Sequence, residues 1–96
     1  MTLQQFRDLL LVADPQASHY KSMQTPNYTV WSEYGKTRIP EQIWKVQVDR
    51  FTKLEYDPIA DLINIALDID EIGVSYLVDF EPSTGYIHHI WDMEVA

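Results

Sequence analysis

The sequence contains no cysteine, only three glycines, and no lysine or arginine after Lys53. Without thiols there is no disulfide framework, no thiolate zinc site and no cysteine nucleophile. The glycines, Gly35, Gly73 and Gly85, stand far apart. Phosphate-binding loops and dinucleotide fingerprints need clustered glycines where backbone meets phosphate, so both are excluded. There is no Gly-x-Ser-x-Gly nucleophile elbow. No apolar run approaches the roughly 20 residues of a membrane-spanning helix. The opening Met1-Thr2-Leu3-Gln4-Gln5-Phe6-Arg7-Asp8 lacks the basic-then-apolar order of a secretory signal. The expectation is a soluble protein made inside the cell.

What is present is 96 residues, 46% apolar and 23% charged, which is the composition of a globular chain. The length predicts one domain, residues 1–96. A domain of this size buries only a little over ~60% of its unfolded surface, so cover from a neighbour adds to its stability.

The net charge of −8 is unevenly placed. Up to Lys53, seven bases stand against five acids, a net of +2. From Leu54 onward ten acids stand against no base, a net of −10. Such a half repels phosphate, which argues against specific nucleic-acid binding through it. It is either a solvated surface that aids solubility or a face for a basic partner, the +2 half of another copy included.

Thr2 and Gln5 fit a capping box that opens a helix to Ala13, with Leu3, Phe6, Leu9, Leu10 and Ala13 on one face. Asp14-Pro15 ends it. Gln16 to Asn27 is polar and reads as a loop. Tyr28 to Gly35 is aromatic and β-branched, and Ile43 to Lys53 alternates Trp44, Val46 and Val48 with Lys45, Gln47 and Asp49. The two predict an antiparallel hairpin. Asp57-Pro58 starts a second helix, because aspartate caps free amides and proline suits the first helical position. Ile59, Leu62, Ile63, Ala66 and Ile69 form its expected buried arc. Asp57, Asp61, Asn64 and Asp68 form an opposite stripe, and Gly73 closes the helical region. Val74 to Phe80 and Tyr86 to Val95 predict a second hairpin around a Glu81–Gly85 turn. Val74, Tyr76, Val78 and Phe80 share one face of the first strand, and Ile87, His89, Trp91, Met93 and Val95 one face of the second. The predicted fold is α+β, in the order α-β-β-α-β-β. Two helices pack on one face of a four-stranded antiparallel or mixed sheet.

The search for chemistry yields no catalytic, cofactor-binding or metal residue. His88 and His89 are neighbours on a strand and point to opposite faces, so they cannot chelate one metal together. Asp68-Ile69-Asp70-Glu71 lacks the alternating oxygen ligands and central glycine of a calcium loop. The aromatics, three Trp, six Tyr and three Phe, alternate within strands and are not interleaved with a basic patch.

Several segments together carry a resemblance. They are the Met1–Leu10 helix, the strand Pro26-Asn27-Tyr28-Thr29-Val30-Trp31-Ser32-Glu33-Tyr34-Gly35, and Val46-Gln47-Val48-Asp49-Arg50-Phe51-Thr52-Lys53 running into the Asp57-Pro58 helix. Thr84-Gly85-Tyr86-Ile87-His88-His89-Ile90-Trp91 completes the set. In these and in element order the chain resembles small minor structural proteins of tailed phages and prophages of Gram-positive bacteria, the tail-terminator or tail-completion proteins of the head–tail neck. The resemblance implies a non-enzymatic virion subunit, made in the host cytoplasm. It implies a ring, typically a hexamer, that caps the tail tube and meets head-connector proteins. It supplies no catalytic or ligand residues.

Beside that implication, the charge reading nominates Lys36, Thr37, Arg38 and Ile39 as a contact with a neighbouring subunit. Asp57, Asp61 and Asp68 are nominated as an acidic lumen or partner face. The alternative is a small acidic inhibitor, an anti-defence or immunity protein whose carboxylates occupy a basic groove on a nuclease.

Overall fold

The computed structural model describes residues 1–23, 25–38 and 42–96. Helix α1, Leu3–Ala13, begins with the expected capping box: the Thr2 hydroxyl accepts from the Gln5 amide, and the Gln5 side chain accepts from the Thr2 amide. Its apolar stripe buries Phe6, Leu10 and Ala13. The Asp14 amide donates to Leu10 to close the last turn.

A short strand, β1, Ser18–His19, follows where a loop is expected. Two residues of polar sequence carry no strand signal of their own. The strand exists because β2, Tyr28–Thr37, offers it an edge, and it pairs there in parallel at Val30 and Trp31. The His19 ring stacks on Trp31 at 3.8 Å between centroids, and the Tyr20 amide donates to the Trp31 carbonyl.

Strand β3, Ile43–Thr52, forms the expected antiparallel hairpin with β2, with a bulge between Glu33 and Gly35. Helix α2, Pro58–Ala66, is capped by Asp57, whose side chain accepts from the Ile59 amide. It ends at Leu67, earlier than expected, and Gly73 lies inside the next strand. Strands β4, Ile72–Glu81, and β5, Tyr86–Val95, form the second antiparallel hairpin. Gly85 closes its turn at φ +76°, a region where a side chain is strained.

The class is α+β, as expected, but the sheet has five strands and is mixed, in the order β1-β2-β3-β5-β4. Helix residues Phe6, Leu10, Ile63 and Leu67 share one core with Trp31, Val46, Val48, Trp91, Met93 and Val95. These strand residues sit on the same face, so both helices cover that face and leave the other open. Two helices packed about 10 Å apart span roughly four strands at 4.8 Å spacing. The strand left over is β4.

One local expectation fails. Leu62, placed on the buried arc of α2, is 46% exposed, and the arc centres on Ala60, Ile63 and Leu67 instead. The cause is an excess of apolar residues around this helix, which blurs the periodic signal. Val74, Tyr76, Val78 and Phe80 share a face, as expected, and all four are exposed.

Candidate interaction surface

Strand β4 is an open edge of the sheet among the described residues. It is ten residues long and pairs with β5 along its whole length. Among the described residues no strand pairs with its other edge. Its unpaired amides and carbonyls form a template for another strand. The side chains match that purpose poorly with solvent: Leu77 is 52% and Phe80 57% exposed. Edges are usually blunted by charge, proline or a bulge. In β4 the carboxylates, Asp79 and Glu81, fall at the far end, and Val74 to Val78 holds no charge. On α2, Leu62 and Ile65 are exposed as well, Ile65 at 71%.

The helices beside this strip are held by a buried polar centre that the sequence reading did not single out. Arg50, in β3, donates from Nε to Asp57 at 2.8 Å and from Nη1 to the Thr29 hydroxyl at 3.3 Å. Its Nη1 lies 3.6 Å from Asp14, the C-cap of α1. One guanidinium thus joins the end of α1, the start of α2 and two central strands. The signal was available: the alternation of Val46 and Val48 places Arg50 on the inward face. Burial alone would raise the Asp57 carboxyl. The hydrogen bonds from Arg50 and the Ile59 amide, with the guanidinium charge, hold it below its usual value instead.

Asp57 is therefore corrected as a member of the acidic face: it is 4% exposed and serves the interior. Asp61 and Asp68 are exposed and keep their place on the outer surface. At the other candidate contact, Lys36 and Arg38 are exposed and Thr37 is half-buried. The Lys36 ammonium sits 4.6 Å from the centre of the Trp44 ring. Ile39 lies outside the described residues.

The pairing rows show how the two candidate surfaces are related. Lys36 pairs with Trp44, Trp44 with Val95, and Val95 with Ile72. This row crosses the sheet from the end of β2 to the start of β4. The basic residues and the Asp70-Glu71 entry to β4 therefore occupy the same end of the sheet, on opposite sides of it. The acidic cap of α2, Asp57, follows the other end of β3 and is far from both in register.

The two histidines lie on opposite faces, as expected. His88 donates from Nε2 to Asp49, 2.8 Å away on the open face, and stacks on Phe51. His89, on the helix face, meets the Tyr76 hydroxyl at 2.7 Å through Nδ1, and its Nε2 is buried without a partner. Burial, the largest influence, lowers its pKa, opposed by the nearby Asp57 and Asp61 charges. Among the described residues no group of three His, Asp or Glu side chains is placed to hold a metal ion. No helix there is long and apolar enough to cross a membrane.

No protein-family model matches this chain, and no curated protein matches it significantly.

Proposed function

We propose that this chain is a non-enzymatic structural subunit of a phage or prophage particle, a tail-terminator or head–tail joining protein that forms a ring at the end of the tail tube. The carrying observation is the bare β4 edge, exposed on a chain whose other sheet edge is different in charge. Closed rings use heterologous interfaces, in which one patch meets a different patch on the next copy. A subunit with two unlike edges satisfies that requirement; a subunit with like edges does not. The sequence resemblance supplies the setting, a virion component assembled in the host cytoplasm between tail tube and head connector. On this reading the exposed Asp61 and Asp68 face either the DNA passage, where like charge lets DNA slide, or a protein partner.

The test is purified protein mixed with tail tubes of the phage that encodes it, viewed by negative stain and followed by sedimentation. A ring at the tube end supports the reading. A strict monomer at all concentrations that also fails to bind tubes overturns it.

The exposed carboxylates of α2 favour one other reading, an inhibitor that fills a basic groove on a nuclease. Tight 1:1 binding to a nuclease encoded nearby, with no binding to tubes, selects that alternative.

A further inference from the structure

We propose that copies of this chain join edge to edge, with the start of β4 in one copy pairing antiparallel with the end of β2 in the next. The inference rests on the reading of the chain as a self-assembling subunit and specifies how its faces meet.

Strand direction sets the first condition. β2 runs opposite to β3, β3 opposite to β5, and β5 opposite to β4. β4 therefore runs opposite to β2. If neighbouring sheets continue with their helices on the same face, β4 and the next β2 meet antiparallel. That is the more favourable ladder geometry.

Edge availability sets the second. β1 covers β2 only at Val30 and Trp31. From Ser32 to Thr37 the outer edge of β2 has no strand partner among the described residues. The bulge between Glu33 and Gly35 interrupts this stretch, and the rows of Trp31 and Val30, already taken by β1, lead across the sheet to Tyr76 and Leu77. The shared ladder is therefore short, centres on Gly35–Thr37, and β4 parts from the neighbouring sheet before Tyr76. The partner on β4 is Ile72 and the residues after it.

Charge sets the third. Lys36 and Ile72 stand on one row across the sheet, so joining copies without slip brings the next copy's Lys36 and Arg38 beside Asp70 and Glu71. All four side chains are exposed in the single chain. A two-fold pairing of β4 with itself instead brings the Asp70-Glu71 entry of one copy towards the Asp79–Glu81 exit of the other. With no base after Lys53, nothing in that half offsets the repulsion. The head-to-tail arrangement also places the next copy's α1, which packs on β2 through Phe6 and Trp31, beside the uncovered face of β4.

The experiment is a charge exchange, read wherever the wild type assembles, in solution or on tail tubes. Lys36→Glu with Arg38→Glu, or Asp70→Lys with Glu71→Lys, weakens association by about tenfold, as two attractive exposed pairs become repulsive. All four changes in one chain restore it. Circular dichroism checks that each variant is folded. Association strengthened by Asp70→Lys with Glu71→Lys alone overturns the proposal in favour of a symmetric β4 pair. Wild-type assembly unaffected by either exchange overturns this interface but leaves the ring reading standing. A wild type that assembles nowhere overturns both.

Discussion

Arg50 and Asp57 form an ion pair of 2.8 Å with both side chains almost wholly out of solvent. Asp57 at the same time caps α2 through the Ile59 amide. One carboxylate therefore starts a helix and neutralises the charge that fastens that helix to the sheet.

Replacing Asp57 with alanine removes both functions. The cap contributes about 1 kcal/mol. The loss of one partner from a buried pair costs about 3–5 kcal/mol. Urea denaturation is expected to show a loss of about 4 kcal/mol, within those ranges. Because Asp14 remains near Arg50, Asp57→Asn, which keeps the cap, is expected to lose less than the alanine variant.

Acid weakens the fold in two steps. His89 has a folded pKa below its ordinary 6.5, so the unfolded chain takes up its proton first. Its contribution is present above pH 6.5 and is lost as pH falls through the lower folded value. Asp57 has a folded pKa below its ordinary 3.8. Its contribution holds above that value and fades below it. Stability measured from pH 8 to pH 3 is expected to decline first just below 6.5 and again below 4. His89→Gln is expected to remove the first decline and leave the second.

Trp91 is fully buried and donates from Nε1 to the Asn64 side chain at 2.8 Å. Asn64→Leu leaves that donor without an acceptor, at a cost of about 1–3 kcal/mol. Ile65→Ala, one residue away but exposed, is expected to stay within about 0.5 kcal/mol of the parent. The contrast between neighbouring positions on α2 checks the orientation of the helix by chemical denaturation.

Val74, near the start of β4, is on the helix face beside the proposed ladder and is 44% exposed. Val74→Lys places a charge on the uncovered edge, the device by which natural edges are protected. Stability is expected to change by less than about 0.5 kcal/mol, as for an ordinary surface site. Association at raised concentration, read by light scattering, is expected to fall.

Much of this fold was legible in the sequence because its signals are local. The Thr2–Gln5 box, the Asp57-Pro58 start and the Val46–Val48 alternation each depend on a few neighbouring residues. Both hairpins followed from the same kind of signal. Strand β1 was not legible, because Ser18 and His19 become a strand only when Trp31 presents an edge and a ring to stack on. The exposure of β4 was equally hidden. Val74, Tyr76, Val78 and Phe80 have the alternation of an inward face, and only the width of the helix layer decides that nothing lies above them. The expected stripe of Asp57, Asp61, Asn64 and Asp68 does not hold as one face: Asp57 is a buried cap, Asn64 accepts from the buried Trp91 and Asp68 lies past the helix. Spacing could not reveal that Asp57 answers an arginine on β3. For that, the parity of Arg50 had to be followed past the last valine.

If copies meet along β4 as proposed, the uncovered width beside α2 makes folding and association one equilibrium. Any occupant of β4 binds the folded chain and not the unfolded one, so by mass action it deepens the native well. The thermal midpoint of this protein then becomes a function of its concentration, higher in a crowded assembly than in dilute solution. On that proposal, a surplus strand is a sensor of how many copies are present.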